Sequence, residues 1–423
     1  MKAILISIGN ELLSGKTVNT NATYISSKLH ELGIETLRVV TIGDDAAEIQ
    51  QQLQLALQQA DVIITTGGLG PTHDDITKKA IVEFLGSHLI FKEEILHKIE
   101  ERFRRRGSQM PAINRNQAMV PADAELIDNP VGTAPGLLFR RDGKMIFVLP
   151  GVPREMKAMM EDFILPLLKD QGKLEPIHVF QYRTTGIAES RIYEICHDLF
   201  EAHPQLEVAF LPRFIGVDIR ILVKDSALQQ MDYSRFEREL YGRIGKYIYT
   251  TGTEELEAVV GRLLKEKGWT IAVAESCTGG LVQDRITNVS GSSGYFMGGM
   301  VTYSNDSKVK FLGVKPESLA AHGAVSEVVA REMARGIREA MGTDIGVSTT
   351  GIAGPTGGTP EKPVGLIYIG LATADTVVAR RFVFVQDRRL NKELGAQAAL
   401  EMVRRYLLGI PIDNDPSSKK ESG

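Results

Sequence analysis

Six stretches of this sequence carry residue types that can do chemistry, four of them in its C-terminal part. The segment Ala274-Glu275-Ser276-Cys277-Thr278-Gly279-Gly280 follows an apolar run at 270–274, which places it at a strand-to-helix junction. Ser276 there has two readings. It is a nucleophile if a base stands beside it, or it only caps the helix that follows. Thr278 is an equal candidate for the cap. Cys277 is the other candidate nucleophile, although a lone cysteine in such a place is commonly a small apolar residue. No Gly-x-Ser-x-Gly surrounds Ser276, so the hydrolase elbow of that pattern is not expected. Tyr303-Ser304-Asn305-Asp306-Ser307-Lys308 also ends a strand and offers the base. A lysine serves only when burial or a neighbouring cation lowers its pKa. Otherwise Lys308 is a solvated helix residue.

Ser348-Thr349-Thr350-Gly351-Ile352-Ala353-Gly354-Pro355-Thr356-Gly357-Gly358 is a glycine-rich turn after a strand. Its hydroxyl and N–H groups suit a phosphate or a developing oxyanion; the plainer reading is a lid or hairpin loop. Asp387-Arg388-Arg389 opens the last helix, and an arginine there can reach a phosphate in two-pronged fashion. Surface solvation is the other reading, the one favoured for Arg389.

The N-terminal third has its own pair of candidates. Gly9-Asn10-Glu11-Leu12-Leu13-Ser14-Gly15-Lys16-Thr17 invites a phosphate-loop reading, yet five residues separate the glycines where that loop needs four. Thr65-Thr66-Gly67-Gly68-Leu69-Gly70-Pro71-Thr72-His73-Asp74-Asp75 lies at the carboxyl end of a strand, where open α/β sheets bind ligands. Its glycines let backbone approach a bulky anion. Asp74 and Asp75 make sense beside a diphosphate if a divalent cation lies between; the alternative is that one of them caps the next helix.

These groups need elements to hold them. Residues 3–8, 36–42, 62–66 and 145–149 read as strands. The helix between 19 and 33 shows Ala22, Ile25, Leu29 and Leu32 on one face; that at 46–60 shows Ile49, Leu53, Ala56, Leu57 and Ala60. Pro153 starts a helix to about Lys169. This alternation predicts an α/β domain over 1–170, a parallel sheet with helices on both faces. Residues 171–252 predict a small α+β unit: strand 178–184, helix 188–202, a hairpin at 207–224 and a helix around 226–244. A second α/β domain spans 253–410, with a helix at 254–267, strands at 270–274, 296–303, 345–349, 364–373 and 377–385, and helices at 326–341 and 388–408. Residues 411–423 are polar and read as a flexible tail.

Composition narrows the function classes. The 423 residues are 43% hydrophobic and 24% charged, ordinary for packed domains. Lys plus Arg is 49 and Asp plus Glu 53, a net charge of -4, which argues against non-specific polyanion binding. Cys196 and Cys277, the two cysteines, support neither a disulfide framework nor a cysteine-based zinc site. No apolar run approaches the roughly 18 residues of a membrane span. The expected location is the cytoplasm.

Taken together, Gly9-Asn10-Glu11-Leu12-Leu13-Ser14-Gly15, the 66–75 turn and Leu149-Pro150-Gly151-Val152-Pro153-Arg154-Glu155-Met156 resemble the CinA family, competence/damage-inducible protein A. Its first domain is similar to molybdopterin-binding proteins and is associated with metal-dependent hydrolysis of ADP-ribose to AMP and ribose 5-phosphate. The resemblance implies that Asn10, Glu11, Gly67, Gly68, Gly70, Gly132, Thr133, Pro150 and Gly151 line that pocket, with Asp44, Asp74 and Asp75 at a divalent metal. Ala274 to Gly280, Tyr303-Ser304-Asn305 with Lys308, Leu312-Gly313-Val314, Thr350 to Pro355 and Asp387-Arg388 resemble the family's C-terminal domain, a nicotinamide mononucleotide deamidase. That implies Ser276 as nucleophile and Lys308 as base, supported by Tyr303, Thr278, Thr349, Thr350, Gly351 and Arg388, with no cofactor. A pyridinium substrate would bring a positive charge to Lys308 on binding. The middle unit corresponds to a KH-like region. It is read as lacking the Gly-x-x-Gly loop by which KH domains clamp a backbone, so a spacer or dimerisation role is expected rather than nucleic-acid binding. The implied partners are nucleotide substrates and a second copy in a homodimer. The alternative is an adaptor protein of competence or DNA-damage responses whose N-terminal pocket binds a nucleotide or molybdopterin.

Overall fold

The computed structural model describes residues 1–70, 76–171 and 174–412. Two compact units emerge: Met1–Val179 with Val223–Met231, and Phe180–Leu222 with the described residues from Asp232. Among the described residues no helix is long and apolar enough to cross a membrane.

The first unit is built on β1 (Lys2–Ile8), β2 (Glu35–Ile42), β3 (Val62–Thr66), β6 (Glu125–Ile127), β7 (Gly136–Arg141) and β8 (Lys144–Leu149), while β4 (Leu89–Phe91) and β5 (Met119–Pro121) form a separate ribbon. The strand order is β2-β1-β3-β8-β7-β6. The first four run parallel; β7 and β6 add an antiparallel edge. Alternate residues enter opposite cores. Ala3, Leu5, Val62, Ile64, Phe147 and Leu149 pack with Ile25 and Leu29 of the helix Thr20–Glu31. Ile4, Ile6, Ile63, Ile146 and Val148 pack with Ile49 and Leu53 of Ala46–Gln59. Strands buried on both faces read as continuous apolar runs, which is why these were legible. Asn19 and Asp45 cap the two helices, accepting from Ala22 N and Glu48 N.

The antiparallel edge corrects the expectation of a wholly parallel sheet, and two further segments of this unit differ from their expected form. The helix from Pro153 carries a π-helical turn at Met160–Ile164 before Leu165–Lys169, where Pro166 has no N–H to continue the α ladder. The Gly9–Gly15 segment winds into a single helical turn, Asn10–Leu13. Leu12 N, Ser14 N and Gly15 N donate within the segment, Gly9 N to Ile42 O and Asn10 N to Asp44 Oδ2, so these groups do not form a phosphate cradle.

The middle segment contributes β9 (Ile177–Thr184), β10 (Glu207–Arg213), β11 (Gly216–Lys224) and β12 (Ile248–Thr251), in the order β10-β11-β9-β12. The helix read over 226–244 is two: Asp225–Leu228, then Tyr233–Ile244 with Asp232 as its cap. A Gly-x-x-Gly spacing is present after all, as Gly242-Arg243-Ile244-Gly245, which corrects the reading of its absence. It occupies the last turn of a helix that leads into β12, not a loop between helices.

The C-terminal sheet comprises β13 (Ile271–Glu275), β14 (Phe296–Val301), β15 (Ile345–Gly351), β16 (Leu366–Ala372) and β17 (Val377–Val383), ordered β14-β13-β15-β16-β17. The first three are mutually parallel and the last two antiparallel. Helices Leu256–Lys267 and Arg388–Leu407 cover one face, and Glu327–Met341 covers the other. Arg404, 2% exposed, donates to Ile248 O and Lys246 O and pairs with Glu401, joining the last helix to the strand β12 region.

Candidate active site

Ser276 leaves the carboxyl end of β13, and its N–H donates to Thr349 O of β15 at 2.9 Å. Lys308 lies on the helix Asn305–Leu312, whose cap Ser304 accepts from Ser307 N. The lysine is 1% exposed, and its Nζ stands 3.1 Å from Ser276 Oγ, 2.8 Å from Thr302 O and 3.2 Å from Tyr303 O. Burial pushes its pKa below the ordinary lysine value. In the neutral amine, the two hydrogens satisfy the two carbonyls. The lone pair is then left for the Ser276 hydroxyl proton. The strand-end and helix-start positions of the two motifs thus converge on one nucleophile–base contact.

The capping alternative for Ser276 and Thr278 is not what the structure shows. The helix Leu281–Thr287 starts after Gly280, with no side-chain cap from either residue. Its N–H groups are taken instead by Glu275, whose Oε2 accepts from Gly280 N and Val282 N and whose Oε1 accepts from Gln283 N. Thr278 Oγ1 also donates to Glu275 Oε2 at 2.6 Å and lies 2.6 Å from Thr349 Oγ1. Glu275, Thr278 and Thr349 are wholly buried behind the nucleophile turn. Cys277 is buried, which pushes its thiol up to about 12. It is a protonated thiol at neutral pH, and a poor nucleophile.

On the open side, Arg388 donates to Gly354 O at 2.7 Å and to the exposed Tyr303 hydroxyl at 3.2 Å. Thr350 Oγ1 donates to Ala324 O, and a Cβ on Gly351 would meet Leu366 O at 2.5 Å. Asn391, which drew no attention in the sequence, is fully buried and donates to Ala353 O and Val385 O while accepting from Val385 N. It ties the 351–355 turn to the helix that carries Arg388. No local signal marks such a residue; only the tertiary fold does.

Asn10 and Glu11, Asp44, the 67–70 glycines, and Pro150 with Gly151 follow the carboxyl ends of β1, β2, β3 and β8 in turn. Asn10 N donates to Asp44 Oδ2 at 3.1 Å, and Gly67 N donates to Leu149 O. Gly67 and Gly68 have positive φ, 109° and 65°. A Cβ on Gly67 would meet Ile8 O at 2.1 Å, and one on Gly68 would meet Thr77 Oγ1 at 1.9 Å. Gly151 approaches Gly67 closely, with an added Cβ 3.4 Å from the Gly67 Cα. Pro150 is buried, Glu11 and Gly70 are exposed. Gly132 stands apart with the Glu155 carboxylate, which accepts from Asn129 Nδ2, while Asn129 Oδ1 accepts from Gly132 N. Gly132 and Thr133 border a cleft of about 430 Å³ also lined by Lys98, Arg102 and Arg105. Asn21, another residue not singled out, donates to Gly151 O, and its buried Oδ1 has no partner among the described residues. Asp74 and Asp75 lie outside the described residues. Among the described residues no group of three His, Cys, Asp or Glu side chains gathers as a metal seat, so Asp44 does not make one by itself.

Three family models match the chain in succession. Residues 4–170 match the probable molybdopterin binding domain, 181–250 the damage-inducible protein CinA KH domain, and 253–407 the CinA C-terminal domain. A CinA-like protein of Chloroherpeton thalassium is 47% identical, covering 96% of this chain and 99% of its own length. The chain belongs to the CinA family. A putative competence-damage inducible protein of Caldicellulosiruptor saccharolyticus is 44% identical over 96% of this chain and all of its own. A solved structure named CinA, from Thermoplasma acidophilum, is 36% identical over 39% of this chain and 97% of that one, with a TM-score of 0.37. Within the CinA family arrangement, Ser276, Lys308, Tyr303, Thr350 and Arg388 all fall in the CinA C-terminal domain, and the glycine turn falls in the molybdopterin binding domain.

Proposed function

We propose that the C-terminal domain is a serine–lysine amidohydrolase that converts nicotinamide mononucleotide to nicotinic acid mononucleotide and ammonia. The observation that carries this reading is the buried Lys308 Nζ, 3.1 Å from Ser276 Oγ and within 2.8 and 3.2 Å of two carbonyls that take both hydrogens of the neutral amine. Lys308 takes the Ser276 proton as Oγ bonds to the carboxamide carbon. The carbonyl π pair moves onto oxygen, the developing charge that hydrogen-bond donors of such a site stabilise. As the pair returns, the C–N bond breaks. Lys308 returns the proton to the departing nitrogen, which leaves as ammonia. Water then attacks the acyl-serine, giving its proton to Lys308, and Ser276 departs with that proton restored. Arg388 and Tyr303 stand where they can hold the nucleotide.

The N-terminal domain is proposed to hydrolyse ADP-ribose to AMP and ribose 5-phosphate with a divalent metal. Support comes from the positive-φ glycine turn at the strand ends, where the backbone is open to a bulky anion.

Purified protein, with and without chelator, tests both. Chelator-resistant ammonia release from nicotinamide mononucleotide that vanishes in Ser276→Ala supports the amidohydrolase. AMP release from ADP-ribose that chelator abolishes and Ser276→Ala retains supports the second site. No ammonia from folded wild-type protein would leave the adaptor reading in its place.

A further inference from the structure

Glu275 is a buried ionisable residue next to the nucleophile, and the proposed chemistry does not use it. Its two arms reach both halves of the dyad. The carboxylate gathers Thr278 Oγ1 at 2.6 Å, Gly280 N at 2.9 Å, Val282 N at 3.2 Å and Gln283 N at 2.9 Å, and so fixes the turn on which Ser276 stands. Its backbone oxygen accepts from Thr302 N at 2.8 Å. Thr302 O is in turn the shortest contact of Lys308 Nζ, at 2.8 Å.

The carboxylate also sets a direction. Its Oε2 accepts from the Thr278 hydroxyl. The single Thr278 hydroxyl hydrogen therefore points to Glu275, and Thr349 Oγ1, 2.6 Å from Thr278 Oγ1, must be the donor of that pair. The backbone of Thr349 meanwhile accepts from Ser276 N. One chain of hydrogen bonds thus runs from β15 through Thr278 to Glu275 and brackets the nucleophile.

We infer that Glu275 is a positioning residue of this site: it acts through the 276–283 turn to hold Ser276 Oγ in line with Lys308. The inference rests on the serine–lysine reading and extends it. A glutamine in its place keeps the shape but offers one acceptor oxygen where the carboxylate offers two. With that oxygen facing Thr278, Gly280 and Val282, the amide NH₂ faces Gln283 N–H, and the turn loses its fixed seat.

The test uses full-length protein and two readouts. A fluorophosphonate, which labels an activated serine, reports on Ser276 without any nucleotide. Steady-state ammonia release from nicotinamide mononucleotide separates kcat from KM. Glu275→Gln is expected to label at least about tenfold more slowly, with kcat reduced in step, KM within about twofold and the acidic limb of the labelling rate unmoved, since Lys308 keeps its surroundings. Thr278→Val, which removes one donor and little volume, is expected to give a smaller fall of the same kind. Equal labelling of wild type and Glu275→Gln would overturn the inference, as would a loss carried by KM alone. Absence of labelling in wild type would instead overturn the serine–lysine reading, and the inference with it. Wild-type labelling with no ammonia release would leave the positioning role standing and reject only the substrate.

Discussion

Lys308 Nζ meets Ser276 Oγ at 3.1 Å from inside the protein, with the lysine 1% exposed and the serine 8%. A base so placed works only when neutral. Its pKa is lowered by burial, so the neutral fraction at physiological pH exceeds that of a surface lysine. The expected profile of kcat/KM against pH falls on the acid side with a slope of about one as Lys308 gains its proton. The limb is expected below the ordinary lysine range. A limb at about 10.4, the value of a free lysine, would contradict the burial argument.

The same depression has a thermodynamic face. The unfolded chain returns Lys308 to its ordinary value of 10.5, so between the folded and unfolded pKa values the unfolded state binds more protons. Stability therefore rises with pH through that window, by at most about 1.4 kcal/mol per pH unit for one group. Lys308→Met is expected to remove this slope. Urea melts at several pH values between neutrality and 10, compared for the two proteins, check it.

Cys277 adjoins the nucleophile yet is expected to be inert. Burial holds its thiol up to about 12, so thiolate is scarce at pH 7. Iodoacetamide is expected to leave ammonia release within about twofold of the untreated rate, and Cys277→Ala to do the same. Ser276→Ala is expected to lose about 10³-fold or more. Inactivation by iodoacetamide with modification mapped to Cys277 would reverse the assignment of nucleophile.

Arg388 and Tyr303 are 85 positions apart in sequence and joined by a 3.2 Å hydrogen bond. Each single change, Arg388→Ala and Tyr303→Phe, is expected to lower kcat/KM about tenfold. The double variant is expected to lose less than the sum, with a coupling of about 1 kcal/mol. Additive losses would show that the two groups act separately.

What the sequence made legible follows its strongest local signals. Val62–Thr66 is buried throughout and opens on three apolar residues, and it leads into a turn whose Gly67 and Gly68 have positive φ; strand and glycine turn were both readable. The Ser276 and Lys308 motifs were readable as strand-to-helix junctions, though spacing alone left capping and solvation open. Burial decided between them. Glu275 and Asn391 stayed hidden because their value lies in which distant N–H and C=O groups they satisfy. β7 and β12 were missed too, and the helix over 226–244 was read through its break at Asp232. Short elements fixed by pairing or a cap carry little periodic signal.

Gly68 offers the sharpest test of the N-terminal turn. Its φ of 65° is strained for a residue with a side chain, and a Cβ would lie 1.9 Å from Thr77 Oγ1, a fully buried atom. Backbone strain and overlap act together, so Gly68→Ala is expected to cost about 2–4 kcal/mol where the turn stays native. The chain can instead shift the turn and so lose its ligand. Either way hydrolysis of ADP-ribose is expected to fall at least tenfold. Ammonia release from nicotinamide mononucleotide is expected to hold within about twofold, because Ser276, Lys308 and every group that positions them belong to the second compact unit. Adding Thr77→Ala, which removes the overlapping atom but not the strain, is expected to recover part of the lost stability. Recovery of none of it would place the whole cost in the backbone.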